Sequence, residues 1–153
     1  MLEIIIGNHQ GEVAIPTSWL TALEAIGEKA TAMALEVAVA EGNSLSHLAI
    51  LEVAVVDDET SSRVHKDFMD IEGATDVITF HHGEIVIGAE VALRQAEEYG
   101  EPLGREILRY FVHGLLHLAG HEDAEAGERE RMEKAQEDIV ALLWAEGLST
   151  KLI

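Results

Sequence analysis

Apolar positions along this chain recur with two periods, and their alternation sets out an order of strands and helices. Leu2 to Ile6 is a short apolar run, read as a strand. Pro16-Thr17-Ser18 opens a helix that carries Trp19, Leu20, Leu23 and Ile26 at helical spacing. The alanine-rich stretch Thr31 to Ala40 is ambiguous, and the helix extends through it on one reading. Glu41-Gly42-Asn43-Ser44 is a turn, and His47 to Val56, rich in branched residues, is a strand. Asp57-Asp58-Glu59-Thr60 then concentrates acid where a helix N-terminus favours it, and that helix carries Val64, His65 and Phe68. After the turn at Glu72-Gly73-Ala74, Asp76 to Phe80 and Glu84 to Ile87 read as two strands of a hairpin around His81-His82-Gly83.

Three helices complete the pattern. Ala89 to Tyr99 is stopped by Gly100. Gly104 to Ala119 is apolar around most of its girth, with Ile107, Leu108, Phe111, Leu115 and Leu118, so it belongs in the core. Ala124 to Ala145 is amphipathic: Met132, Ala135, Ile139 and Leu142 form the expected buried stripe, and its charged face is read as solvated. The expected class is α+β (mixed α/β): one domain over residues 1–153, with a small mixed sheet packed by helices and a metal site on the buried helix.

Composition narrows the chemistry. The chain has 153 residues, of which 48% are hydrophobic, enough for a real core. No run approaches the roughly 20 apolar residues of a membrane span, and the start at Met1 is too soon broken by Gly7-Asn8-His9 to read as a signal peptide. The expected location is the cytoplasm. Cysteine is absent, so a metal must be held by His, Asp or Glu. The formal net charge of −19 disfavours broad nonspecific binding to nucleic acid; a polyanionic substrate would need a local basic patch or the metal itself.

The candidate chemistry lies in His113-Gly114-Leu115-Leu116-His117-Leu118-Ala119-Gly120-His121-Glu122-Asp123. Histidines at i and i+4 leave one face of a helix. Gly120 is suited to end that helix, and the returning chain can then deliver a third ligand. Two helical histidines plus one returning group is the usual layout of a three-ligand zinc site with an open fourth position. The third ligand is read as Asp123 on reach, with His121 as the alternative. Gly114 stands where zinc peptidases place their glutamate base, which disfavours that mechanism.

Taken together these residues resemble the YbeY family of bacterial endoribonucleases. The histidine run is similar to the family's H-G-x-L-H-L-x-G-Y-D-H. Thr75-Asp76-Val77-Ile78-Thr79-Phe80 resembles T-D-V-L-S-F, Gly83-Glu84-Ile85-Val86-Ile87 resembles G-D-I-V-I, and Ala96-Glu97-Glu98-Tyr99-Gly100 also looks like the family. The resemblance implies a zinc protein of the cytoplasm that acts on the 3′ end of small-subunit (16S) rRNA and in ribosome quality control. It implies His113, His117 and position 123 as ligands. It also implies a cleft between the histidine helix and the strand containing Asp76 to Phe80. Two departures stand out: the family's third histidine is Asp123 here, and the arginine of its N-x-x-Y-R-G segment falls on Met69. Methionine cannot neutralise a phosphate as arginine does; Lys66 and Arg63 are the candidates to replace it.

The expected function is therefore zinc-dependent endoribonuclease, one Zn2+ per chain, with rRNA and the small ribosomal subunit as partners and neither DNA nor membrane. Glu84 and Asp76 are the candidate acid or base, with His82 as a further candidate; His65 and His81 stand between surface and cleft. The alternatives are a metallohydrolase for a small substrate and a non-catalytic, zinc-containing ribosome-associated factor.

Overall fold

The computed structural model describes residues 2–153; Met1, part of the sequence reading of the chain start, lies outside them. Four strands, β1 (Glu3–Asn8), β2 (Ile50–Val56), β3 (Val77–Phe80) and β4 (Glu84–Gly88), form one sheet in the order β1-β2-β4-β3. β1 and β2 are parallel, β2 and β4 are parallel, and β3 pairs antiparallel with β4 in the expected hairpin. The helices are α1 (Thr17–Glu36), α2 (Asp58–Met69), α3 (Ala89–Tyr99), α4 (Leu103–Leu118) and α5 (Ala126–Leu143). The α+β class with a mixed sheet is as expected. None of the helices among the described residues is long and apolar enough to cross a membrane.

The alternation of β2 explains the layering. Leu51, Val53 and Val55 are buried on one face, where they join the large core formed with α1, α3, α4 and α5. On the other face Val56, Ile78 and Val86 make a second, smaller cluster with Val64 of α2 and Phe80. Asp57 caps α2, its side chain accepting from Thr60 N at 2.8 Å. Buried Ser61 then ties α2 to the start of β3: its hydroxyl donates to Thr75 O at 3.1 Å and accepts from Thr75 N at 3.0 Å. At the far edge, Glu24 of α1 accepts from Ile6 N at 2.9 Å and so occupies a donor that edge strand β1 leaves open.

Two sequence expectations need correction. α1 ends at Glu36 instead of continuing through Ala40. The next residues are bound to the end of α4: Val37 O accepts from His121 Nε2 at 2.8 Å, and Val39 N donates to Ala119 O at 3.3 Å. α5 gives way after Leu143 to a wider turn, Trp144–Leu148, followed by a short helix, Ser149–Lys151. Its buried stripe is Met132, Gln136, Ile139, Val140 and Leu143, while Leu142 is exposed. Leu142 lies about 100° around the helix from the middle of that stripe, beyond the strip that faces the core.

α4 is the central helix, and Gly114 sets how close it lies to the sheet. A Cβ at that position would stand 2.5 Å from Ile85 Cδ1 and 2.9 Å from Ile85 Cγ1 of β4. Any side chain there, the peptidase glutamate included, would have to displace the buried Ile85. Gly114→Ala is therefore expected to destabilise the fold by roughly 1–3 kcal/mol through overpacking, with partial recovery in the Gly114→Ala/Ile85→Val double variant. Urea denaturation measures both; an unchanged midpoint in the single variant contradicts the close approach.

Candidate metal centre

The end of α4 builds most of the site by itself. Gly120, at φ +100°, lies just past the helix. His121 N donates to Leu116 O at 3.0 Å and Gly120 N to His117 O at 3.0 Å, the paired bonds of a Schellman ending. That turn aims the carbonyl of His121 at His117 Nδ1, 3.0 Å away. Two residues later it brings Asp123 back over the helix.

His113 and His117 stand side by side on α4, ring centroids 4.7 Å apart. His113 Nδ1 lies 2.8 Å from Gln136 Oε1 on α5. A carbonyl oxygen only accepts, so in both histidines Nδ1 carries the hydrogen and donates, and Nε2 keeps its lone pair. Those Nε2 atoms face Asp123 Oδ2, at 3.9 Å from His113 and 3.6 Å from His117. One donor atom from each of the three residues falls within a 4.8 Å cluster. Three ligands in a tetrahedral zinc shell stand about 3.4 Å apart, and the carboxylate oxygen already lies near that distance from both imidazoles, at 3.9 and 3.6 Å. Burial, reinforced by the adjoining His113 ring, holds the His117 imidazole below its ordinary range and favours the neutral, ligating form.

His121 belongs to a different contact. It is 2% exposed, and its Nε2 donates to the carbonyl of Val37, so that nitrogen is spent on the α1–α4 junction.

Gln136 had escaped the sequence reading. Its amide Nε2 donates to Glu137 Oε2 at 3.0 Å, which turns Oε1 toward His113. Arg109 in turn holds Glu137 from Nε at 2.9 Å and from Nη2 at 3.0 Å, and also binds Glu101 and Glu106. Burial opposes ionisation of Glu137, but the hydrogen bonds from Arg109 and Gln136 outweigh it and lower its pKa. The available signal was a polar residue on the buried stripe of α5, four residues after Met132 and three before Ile139.

The triad opens into a cleft of about 420 Å³. One wall is Met69 at the end of α2, the floor is residues 75–79, and the other wall is the two histidines with Glu122 and Asp123. Asp76 lies in that floor. Its Oδ1 accepts from Val77 N at 2.7 Å and from Thr75 Oγ1 at 3.1 Å. Glu84 is not part of the lining; it sits at the hairpin end with His82 Nε2 at 3.2 Å. His81 is at the cleft, whereas His65 Nδ1 donates to Gly73 O at 2.8 Å. Among the described residues no lysine or arginine lines the cleft. Neither candidate replacement for the missing arginine is there: Lys66 is bound by Asp70 at 3.0 Å and Glu72 at 3.1 Å, and Arg63 is absent from the lining.

Comparison with known proteins places this architecture. The family described as Endoribonuclease YbeY matches residues 8–143. The Endoribonuclease YbeY of Thiobacillus denitrificans is 35% identical over 106 residues, covering 63% of this chain and 72% of its own. That of Pelotomaculum thermopropionicum is 30% identical over 157 residues, covering 93% and 97%. A solution structure of a Thermotoga maritima protein, TM1509, shares the fold, with a TM-score of 0.59 over 97% of this chain and 93% of that one at 24% identity.

Two outcomes follow, one from the hydrogen bonds of the site and one from its burial. Gln136→Leu should weaken metal affinity about 10- to 100-fold while Gln136→Glu retains it, measured by competition with a chelator; equal affinity in all three proteins contradicts the positioning role. In metal-free protein, the lowered pKa of His117 means that the unfolded chain binds more protons than the folded one at mildly acidic pH. Stability is then complete above the unfolded value near 6.5 and is lost as pH falls toward the folded value. Denaturant midpoints across that window should fall with pH in the wild type and flatten in His117→Gln.

Proposed function

Because the chain belongs to the YbeY endoribonuclease family, we propose that it is a zinc-dependent endoribonuclease that acts in the cytoplasm on small-subunit rRNA, at the 3′ end of the 16S molecule, and in ribosome quality control. Residues 1–153 act as one metal-dependent hydrolase domain in this reading. The observation that carries it is the convergence of His113 Nε2, His117 Nε2 and Asp123 Oδ2 on one wall of an open cleft, in a chain whose match to the family spans residues 8–143. A bound zinc ion supplies Lewis-acid polarisation of a phosphoryl oxygen. The chain's own residues do the rest. His113 and His117 ligate as neutral imidazoles held by Gln136 and by the His121 carbonyl. Asp123 contributes a carboxylate, and Asp76 takes a proton from the attacking water on the oxygen that Val77 and Thr75 leave free; the water oxygen bonds to phosphorus as the bond from phosphorus to the ribose oxygen breaks, and that oxygen leaves with a proton from solvent. Glu84, the other carboxylate considered, remains with His82 at the hairpin end.

A small-substrate hydrolase is the second reading, and it is favoured by the absence of lysine and arginine from the cleft lining among the described residues. Metal analysis together with rRNA cleavage separates the two. His117→Ala should lose both metal and cleavage. Asp123→Asn should bind metal more weakly. Asp76→Asn should keep its metal and cut about 10²–10⁴-fold more slowly. Full zinc in His117→Ala overturns the ligand assignment, and wild-type protein that holds zinc but never cuts rRNA overturns the endoribonuclease reading.

A further inference from the structure

A side-chain amide has two ends of nearly the same shape, and only one of them suits the metal centre. With Gln136 Oε1 toward the ring, His113 Nδ1 carries the hydrogen and Nε2 keeps the lone pair that a metal needs. With the amide nitrogen turned there instead, Nδ1 would have to accept, and the hydrogen would move to Nε2. His117 is free of this choice, because its Nδ1 faces the backbone carbonyl of His121, which presents only an acceptor. The tautomer of His113 therefore depends on what holds the far end of Gln136.

That end meets Glu137. Gln136 is buried, and its Nε2 donates to Glu137 Oε2 at 3.0 Å. An ionised carboxylate only accepts, so the reversed amide would set oxygen against oxygen there. Arg109 holds this carboxylate in place, with Nε on Oε2 at 2.9 Å and Nη2 on Oε1 at 3.0 Å. Its other donors go to Glu101, at 2.9 and 3.1 Å, and to Glu106. All five N–H groups of the guanidinium are thus spent on carboxylates. Arg109 borders a cavity of about 250 Å³ together with Asp76, His113 and Gln136, yet it has no donor left for a phosphate. Its place beside the site is that of a clamp on Glu137.

We propose that Arg109 and Glu137 are positioning residues of the metal centre: together they set the amide of Gln136 and so select the Nδ1–H tautomer of His113. The link to zinc rests on the metal-dependent reading above; the tautomer rests on the hydrogen bonds alone.

The test begins with metal-free protein carrying isotope-labelled histidine, held above the ordinary imidazole range of about 6.5. Proton–nitrogen correlation spectra distinguish the two neutral tautomers, and His113→Gln assigns the signal. The wild type should show His113 as Nδ1–H. Glu137→Leu should populate Nε2–H and weaken zinc affinity about tenfold or more, measured by competition with a chelator. Arg109→Lys should act in the same direction, since an ammonium keeps the charge but not the planar fork. Gln136→Glu added to Glu137→Leu should restore both readouts, because a carboxylate at that position offers only acceptors and needs no orienting partner. Glu137 is half exposed, and circular dichroism checks that its variants fold. An Nδ1–H tautomer unchanged in Glu137→Leu and Arg109→Lys overturns the proposal. So does an affinity loss in Glu137→Leu that persists in the double variant, which makes Glu137 a packing residue of α5. Cleavage lost in Arg109→Lys, with tautomer and zinc affinity as in the wild type, also overturns it and assigns Arg109 to the substrate. A wild type that shows this control of the tautomer but binds no zinc removes the metal-dependent reading and leaves the selection by Arg109 and Glu137 standing.

Discussion

The close approach of α4 to β4 at Gly114 is the constraint on which the site depends. It lets a helix with eleven buried positions lie directly against the sheet. With the helix fixed there, His113 and His117 point outward beside residues 75–79, which supply the floor of the cleft. The Schellman turn then does three things at once. It ends α4, places a carbonyl on His117 Nδ1, and returns Asp123 to the histidines. The segment after α1 is held against this turn through Val37 and Val39, so the position of the third ligand is supported from a distant part of the chain.

Much of this was legible in the sequence because it is local. The i, i+4 histidines, the glycine that stops the helix and the acid three residues beyond it lie within eleven consecutive positions, and their geometry follows from helix periodicity and one turn. The hairpin and the exact span of α3 were legible for the same reason. What lay hidden depends on contacts between elements distant in sequence. Gln136 meets His113 only because α5 packs on α4, and its partner Glu137 is fixed by Arg109. The alanine-rich residues after Glu36 keep their helical propensity, but their backbone is engaged by the end of α4 instead. Leu142 illustrates the same limit: apolar character did not reveal which side of α5 would face the core.

The cleft combines a metal-competent triad with an uncharged wall. Where the YbeY resemblance leads one to expect an arginine, Met69 offers only an apolar side chain, and the neighbouring lysine is neutralised by two carboxylates. A guanidinium would supply a bidentate phosphate grip that no side chain lining the cleft among the described residues provides. In the proposed endoribonuclease the grip on phosphate shifts from a guanidinium to the ion. That shift is consistent with a strongly acidic protein, because a phosphate-gripping surface would have to overcome the field of the whole molecule.

The most direct test of the account is a crystal grown with zinc, with anomalous diffraction collected at the zinc edge. The account predicts one peak bonded to Nε2 of His113, Nε2 of His117 and a carboxylate oxygen of Asp123, with both Nδ1 atoms still on Gln136 and the His121 carbonyl. A peak bonded to His121 instead, or no peak between the two imidazoles, would contradict it.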